Sequence, residues 1–111
     1  MKITILYGGK SGEHEVSLVS AASVARNIDL SKHTVDLIGI TKEGKWFFQD
    51  SSELERIKKD TNASLQIKEK YPVVIVPGGS KQNALKVENN GKYINLYTDI
   101  VSEKKSAKKE T

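Results

Sequence analysis

Eleven residues near the amino end, Tyr7-Gly8-Gly9-Lys10-Ser11-Gly12-Glu13-His14-Glu15-Val16-Ser17, place three glycines and two carboxylates directly behind the apolar run Ile3-Thr4-Ile5-Leu6. Met1 to Leu6 carries no charge after Lys2 and is rich in β-branched residues, the pattern of a central strand covered on both faces. From Glu13 to Ile28 the residues Leu18, Ala21, Ala22, Ala25 and Ile28 recur at three- and four-residue steps, with Val16 and Val24 widening the stripe, so a helix follows. Residues His33 to Ile40 then supply a second strand, with apolar side chains at 35, 37, 38 and 40. A β-α-β unit of this kind builds an open α/β sheet. The carboxyl end of its first strand opens onto a crevice, the glycines allow a sharp turn there, and the next helix begins at its mouth. Any ligand site is expected to start at Gly8 and Gly9.

The rest of the chain extends that unit. Thr41-Lys42-Glu43-Gly44-Lys45 is a polar turn, and Trp46-Phe47-Phe48 a short aromatic strand behind it. Ser51 to Ile57 places serines before acids, with apolar residues at 54 and 57, which predicts one or two turns of surface helix capped by a serine. Tyr71 to Val76 predicts another strand, closed by Pro77-Gly78-Gly79 at the edge where Gly8 and Gly9 are expected. Leu85-Lys86-Val87 and Tyr93 to Leu96 flank the hairpin signal Asn89-Asn90-Gly91. Thr98 to Val101 begins one more strand. Residues 102–111 are lysine-rich with almost nothing apolar to bury, and are expected to form a disordered tail behind a domain spanning 1–101.

Size and charge narrow the function classes. A chain of 111 residues makes one domain, and a catalyst that needs two lobes is not complete within it. The absence of cysteine removes disulfides and thiolate metal sites, and fits a cytoplasmic setting. The run Val73-Val74-Ile75-Val76 is far short of the about 20 apolar residues of a membrane span. Of the net charge of +4, two charges belong to the tail, where four lysines face two glutamates. The arginines are only Arg26 and Arg56, and the lysines are interspersed with acids, a pattern of a solvated surface that gives no basis for nucleic-acid binding.

Gly9-Lys10-Ser11 has the residue types of a phosphate loop, but the loop requires a glycine where Thr4 stands inside the strand. The dinucleotide fingerprint G-x-G-x-x-G is not met by Gly8-Gly9-Lys10-Ser11-Gly12 either. Glu13, His14 and Glu15 are neighbours at a helix start and diverge by about 100° per residue, which disfavours a shared metal. His14 and His33 read as structural residues. Acids in a first helical turn offset the helix dipole, and that alone accounts for Glu13 and Glu15. The functional alternative is that one of them holds the ammonium group of an amino-acid ligand by a charge-assisted hydrogen bond, and Glu13 lies nearer the turn. Trp46-Phe47-Phe48 reads as packing or as an association surface.

The run Gly8-Gly9-Lys10-Ser11-Gly12-Glu13-His14-Glu15-Val16-Ser17-Leu18 resembles the amino-terminal signature of the D-alanine–D-alanine ligases, bacterial enzymes of peptidoglycan precursor synthesis. The resemblance continues through Ser20-Ala21-Ala22, Ile38-Gly39-Ile40, Thr41-Lys42-Glu43-Gly44-Lys45-Trp46 and Val76-Pro77-Gly78-Gly79, covering residues 1 to about 101. It implies an ATP-grasp ligase of three domains, of which this is the Rossmann-like first: an open, largely parallel sheet with helices on both faces and β-hairpin extensions. In such enzymes ATP phosphorylates one D-alanine and the amine of a second attacks the acyl phosphate, with magnesium on the phosphates. By motif position Glu13 contacts the ammonium of the first D-alanine and Ser17 assists the site geometry, which makes these two the catalytic candidates. Val16, Gly8 and Gly9 join them as substrate-binding candidates. The resemblance also implies a homodimer formed through this domain, with Trp46 and Phe47 as apolar contacts.

The family's His-Gly pair and Gly-Glu-Asp-Gly motif would follow Val101, where the lysine-rich tail stands instead. The chain is therefore expected to be a truncated piece, inactive alone and with no cofactor of its own, ATP and magnesium belonging to the full-length enzyme. The alternatives are a non-catalytic association module of the same family, a D-alanine–D-lactate ligase domain and, more distantly, a flavodoxin-like receiver or nucleotide binder. The last would want an acidic cluster or phosphate loop at the strand ends, and the sequence offers neither.

Overall fold

A computed structural model of the chain describes residues 2–10, 12–75, 85–89, 92–96 and 99–102. Strand β1 (Lys2–Gly8) leads into helix α1 (His14–Arg26) and strand β2 (Thr34–Ile40), which returns parallel to β1 with Ile5 opposite Leu37 and Leu6 opposite Ile38. Strand β3 (Trp46–Gln49) folds back antiparallel on β2 through the turn at 41–45, where Gly44 takes φ +90°. Helix α2 (Ser51–Lys59) and an irregular stretch then lead to β4 (Tyr71–Ile75), β5 (Leu85–Asn89), β6 (Lys92–Leu96) and β7 (Asp99–Ser102). The sheet order is β6-β5-β4-β3-β2-β1-β7, with β7 parallel to β1 on the side away from β2. The expected α/β class and hairpin extensions are present. The sheet is mixed and not largely parallel as expected, being parallel in β2-β1-β7 and antiparallel from β2 through β3, β4, β5 and β6; a short turn rather than a helical crossover joins β2 to β3.

Alternation along the parallel strands assigns the two faces. Ile5, Tyr7 and Leu37 point to one face, where Ala21, Ala22 and Ala25 of α1 and Ile57 of α2 complete a buried core. The alanines let the helix lie close against β1. Ile38 and Leu6 point the other way and pack with Val87, Trp46, Phe48, Tyr71 and Val73. Both described helices therefore cover the same face, while the opposite face is packed by strand side chains, a correction to the expectation of helices on both. Phe47 is buried and Trp46 joins the second cluster, so the aromatic strand packs the chain's own fold.

Helix boundaries follow local chemistry. Asn27 ends α1, its N–H reaching the Val24 and Ala25 carbonyls. The cap of α2 is Asp50, not a serine: its carboxylate accepts from the Ser52 N–H at 3.0 Å, and the helix runs on to Lys59. Among the described residues no helix is long and apolar enough to cross a membrane. The bends at 77–79 and 90–91 and the tail from 103 onward lie outside the described residues.

The stretch 60–68 has no regular structure, yet side chains from four other elements hold it across the helical face. Glu53, only 1% exposed, receives a two-pronged contact from Arg56 and accepts the Gln66 N–H at 2.6 Å. The Tyr7 hydroxyl donates to the Gln66 carbonyl at 2.7 Å. Burial, then the nearby Glu53 carboxylate, keeps that phenol protonated well above the usual tyrosine range. Gln49 both donates to the Lys68 carbonyl and accepts its N–H, and Arg26 reaches the Ile57, Asp60 and Ala63 carbonyls. Arg56 also donates to the Ser64 carbonyl at 2.8 Å, so both arginines satisfy backbone carbonyls that no regular ladder pairs. With Leu65 seated in the core, the strap brings Ile67 onto Gly39 and Gly8. A Cβ on Gly39 would lie 2.6 Å from Ile67 Cγ1, so the glycine is what lets the strap close.

Removing the Glu53 carboxylate would take the shared acceptor from the Gln66 N–H and the Arg56 guanidinium at once. Glu53→Ala is expected to lower unfolding free energy in urea by about 1–3 kcal/mol, the cost of leaving hydrogen-bonding groups without their acceptor. A loss below about 0.5 kcal/mol, the scale of an ordinary surface change, would mean the strap is held by other contacts.

Candidate functional site

The strand order reverses at β1, since β2 lies on one side of it and β7 on the other. The crevice outside the carboxyl end of a strand at such a switch point is where open α/β sheets bind ligands. Gly8 and Gly9 occupy that point, at φ +90° and +108°. A Cβ on Gly8 would fall 2.3 Å from the Ile40 carbonyl oxygen and 3.1 Å from both His14 Cε1 and Ile67 Cδ1. A Cβ on Gly9 would touch nothing within 4 Å. The first glycine is required by space and by φ, the second by φ alone.

The N–H groups of Gly8 and Gly9 and the Gly9 carbonyl are bound within the protein. The Gly8 N–H donates to Ser17 Oγ at 2.9 Å, and the Gly9 N–H to the Ile40 carbonyl at 2.8 Å. His14 Nδ1 stands 2.7 Å from the Gly9 carbonyl oxygen. Gly8 and Gly9, expected to bind substrate, therefore offer no N–H to a ligand, and their part is to shape the turn. Ser17, expected as a catalytic residue, is buried with its hydroxyl engaged by Gly8, so its place is that of a support. This also gives a second reason, independent of spacing, why the loop is not a phosphate cradle.

Glu13 and Val16 flank the turn on the solvent side. Glu13 holds the N-cap position of α1, but its side chain makes no capping hydrogen bond, and the residue is exposed. Val16, three residues on and hence on the same helical face, is 61% exposed. Glu15 is separated from them by an ion pair, its carboxylate lying 3.4 Å from Lys42 Nζ on the β2–β3 turn. The same turn approaches the glycine loop at a second point, where a Cβ on Gly44 would meet Lys10 Cε at 2.8 Å. The structure thus brings Gly8, Gly9, Glu13, Val16 and Ser17 together at one end of the sheet, the first and last as frame and Glu13 with Val16 as the accessible pair. The Pro77-Gly78-Gly79 bend expected opposite them lies outside the described residues. Sequence reasoning missed the bonds that His14 and Ser17 make to the turn. The available signal was a hydrogen-bonding residue at the first and fourth positions of a helix entered from a Gly-Gly turn.

An open depression of about 360 Å³, lined by Lys2, Leu30, Ser31, Lys32, His33 and Thr34, sits at the amino ends of β1 and β2. That is the wrong end of a parallel sheet for a ligand crevice. Among the described residues no three His, Asp or Glu side chains converge as a metal site would need.

With this geometry in place, comparison with known proteins is informative. The family model described as "D-ala D-ala ligase N-terminus" matches residues 2–109. The chain belongs to the D-alanine–D-alanine ligase N-terminal family. It is 51% identical over 88 residues to the D-alanine–D-alanine ligase of Treponema denticola, covering 78% of this chain and 24% of that protein. Over 46 residues, it is 70% identical to the enzyme of Clostridium novyi, covering 41% of this chain and 13% of that protein. Among solved structures it is similar to the VanG D-Ala:D-Ser ligase of Enterococcus faecalis, with a TM-score of 0.61 and 29% identity over 91% of this chain and 28% of that one. The chain spans about a quarter of the length of the Treponema relative.

The unequal space at the two glycines yields a ranked outcome. Gly8→Ala is expected to destabilise the ligase domain by more than Gly9→Ala, whose cost should stay at the about 1–3 kcal/mol of a strained φ alone. Urea unfolding of the two variants followed by circular dichroism measures both, and an equal or inverted order would contradict the packing described around Gly8.

Proposed function

We propose that this domain forms the first D-alanine site of a D-alanine–D-alanine ligase, with the Glu13 carboxylate receiving the substrate ammonium and Val16 lying beside it as an apolar contact. The observation that carries this is the placement of an exposed carboxylate at the switch point, beside a turn whose two glycine N–H groups and Gly9 carbonyl are already paired. An ammonium against a carboxylate keeps its proton, so the bound amine is not a nucleophile. The bound D-alanine is thereby left to react through its carboxyl group. The names of the similar proteins agree in one substrate: D-Ala is common to the D-alanine–D-alanine ligases and to VanG, which differ in the second partner. A site supplied by this domain for the shared D-alanine fits both.

ATP and magnesium are implied by the family for the complete enzyme, and the described residues do not fit either. The N–H groups of Gly8 and Gly9 are engaged, and no metal-binding trio is present among the described residues. The phosphoryl chemistry is accordingly assigned to the remainder of the ligase, and this domain contributes substrate orientation.

The test is a chimera in which residues 1–101 replace the corresponding segment of the Treponema denticola ligase. Active chimera is expected, and Glu13→Gln should raise KM for the first D-alanine by at least about tenfold, the scale of a lost charge-assisted hydrogen bond. Glu15→Gln should change it by no more than about twofold, because an exposed ion pair contributes little. A larger effect at Glu15 than at Glu13 would overturn the assignment.

A further inference from the structure

His14 has an uncommon position: it is the first residue of α1, it is 7% exposed, and its ring reaches back five residues to the turn that precedes it. A carbonyl oxygen only accepts, so at 2.7 Å from Gly9 O the Nδ1 atom must carry the proton and donate. The edge of the same ring lies where a Cβ of Gly8 would stand, with Cε1 3.1 Å from that point. Ser17, one turn further along α1, accepts from the Gly8 N–H. The helix therefore grips the turn twice, once at a donor and once at an acceptor, and the two grips differ in character. Ser17 and the Ile40 carbonyl satisfy N–H groups close to the sheet. His14 alone, among the described contacts, ties the far side of the turn to the residue adjacent to Glu13.

We propose that His14 is a positioning residue of the D-alanine site: its Nδ1–H to Gly9 carbonyl bond locks the glycine turn against the start of α1 and so sets where the Glu13 carboxylate stands. This rests on the assignment of Glu13 to the substrate ammonium. Rotation of the peptide after Gly9 would shift the turn relative to the start of α1, where Glu13 is held by its carbonyl at the Ser17 N–H. Without the histidine the Gly8 and Gly9 N–H bonds remain, but the Gly9 carbonyl loses its side-chain partner and the peptide leaving this positive-φ glycine is less constrained. His14 does not touch the substrate in this arrangement; it acts through the backbone.

Two measurements test this, one of them without any enzyme activity. In the 111-residue chain, long-range proton–nitrogen correlation is expected to show His14 with a protonated, slowly exchanging Nδ1, and a neutral ring protonated at Nε2 with a bare Nδ1 would overturn the proposal. In the chimera, His14→Phe, which retains a ring but no donor, is expected to raise KM for the first D-alanine by about tenfold with kcat changed by less than about threefold, a split that follows from lost ground-state placement. His14→Asn, whose amide nitrogen takes the place of Nδ1, should recover KM to within about threefold of the parent. Equal defects in the Phe and Asn variants, or a fall in kcat with KM unmoved, would overturn it. An inactive parent chimera would count against the function reading instead, while the Nδ1 resonance would still decide the hydrogen bond.

Discussion

Everything at the carboxyl end of the sheet depends on one steric fact: a Cβ at Gly8 would stand 2.3 Å from the Ile40 carbonyl oxygen, too close for any side chain to fit. That close approach is what permits the Gly9 N–H to bond the same carbonyl at 2.8 Å, and this bond fastens the turn leaving β1 to the last residue of β2. Once it is formed, α1 begins where Ser17 and His14 can reach back to the turn. A parallel strand pair, a helix start and a loop are thereby joined by three hydrogen bonds around two residues. The outcome is a preorganised corner with an exposed carboxylate at its edge.

The corner is backed from behind. Ile67 reaches Gly8 and Gly39 from the irregular strap, and the strap is held by Glu53, Arg56, Arg26, Gln49 and Tyr7. A buried carboxylate is costly unless its lone pairs are filled, and Glu53 meets that condition with a guanidinium and a backbone N–H. Packing of the strap and geometry of the turn are therefore coupled through a single isoleucine. Substitutions well away from Glu13, at residues that contact no ligand, can reach the site by this route.

Much of the arrangement was legible in the chain. The β-branched run before Gly8, the alanine-rich period of α1 and the alternation in β2 each follow from side-chain spacing, and together they imply the switch point. Glu13 could be singled out because it lies closest to the turn. The strap was not legible, since residues 60–68 have neither helical nor alternating period and their hydrogen bonds come from side chains distant in sequence. Asp50 was passed over as the α2 cap because two serines follow it. His14 read as merely structural: a lone histidine gives no hint that its partner is a carbonyl five residues earlier. Helices on both faces were expected from the fold class, and the second face turned out to be packed by strand residues such as Ile38 and Val87.

The central claim is that the Gly8-Gly9 turn is a closed, internally bonded frame and not an open cradle of N–H groups. Amide hydrogen exchange of the 111-residue chain, read residue by residue, tests it most directly. The Gly8 and Gly9 amides are predicted to exchange as slowly as those in the centre of β1 and β2, opening only when the domain unfolds. Exchange of either amide at the rate of an exposed loop, with the neighbouring strand amides still protected, would show the turn to be open and would remove the physical basis for placing Glu13.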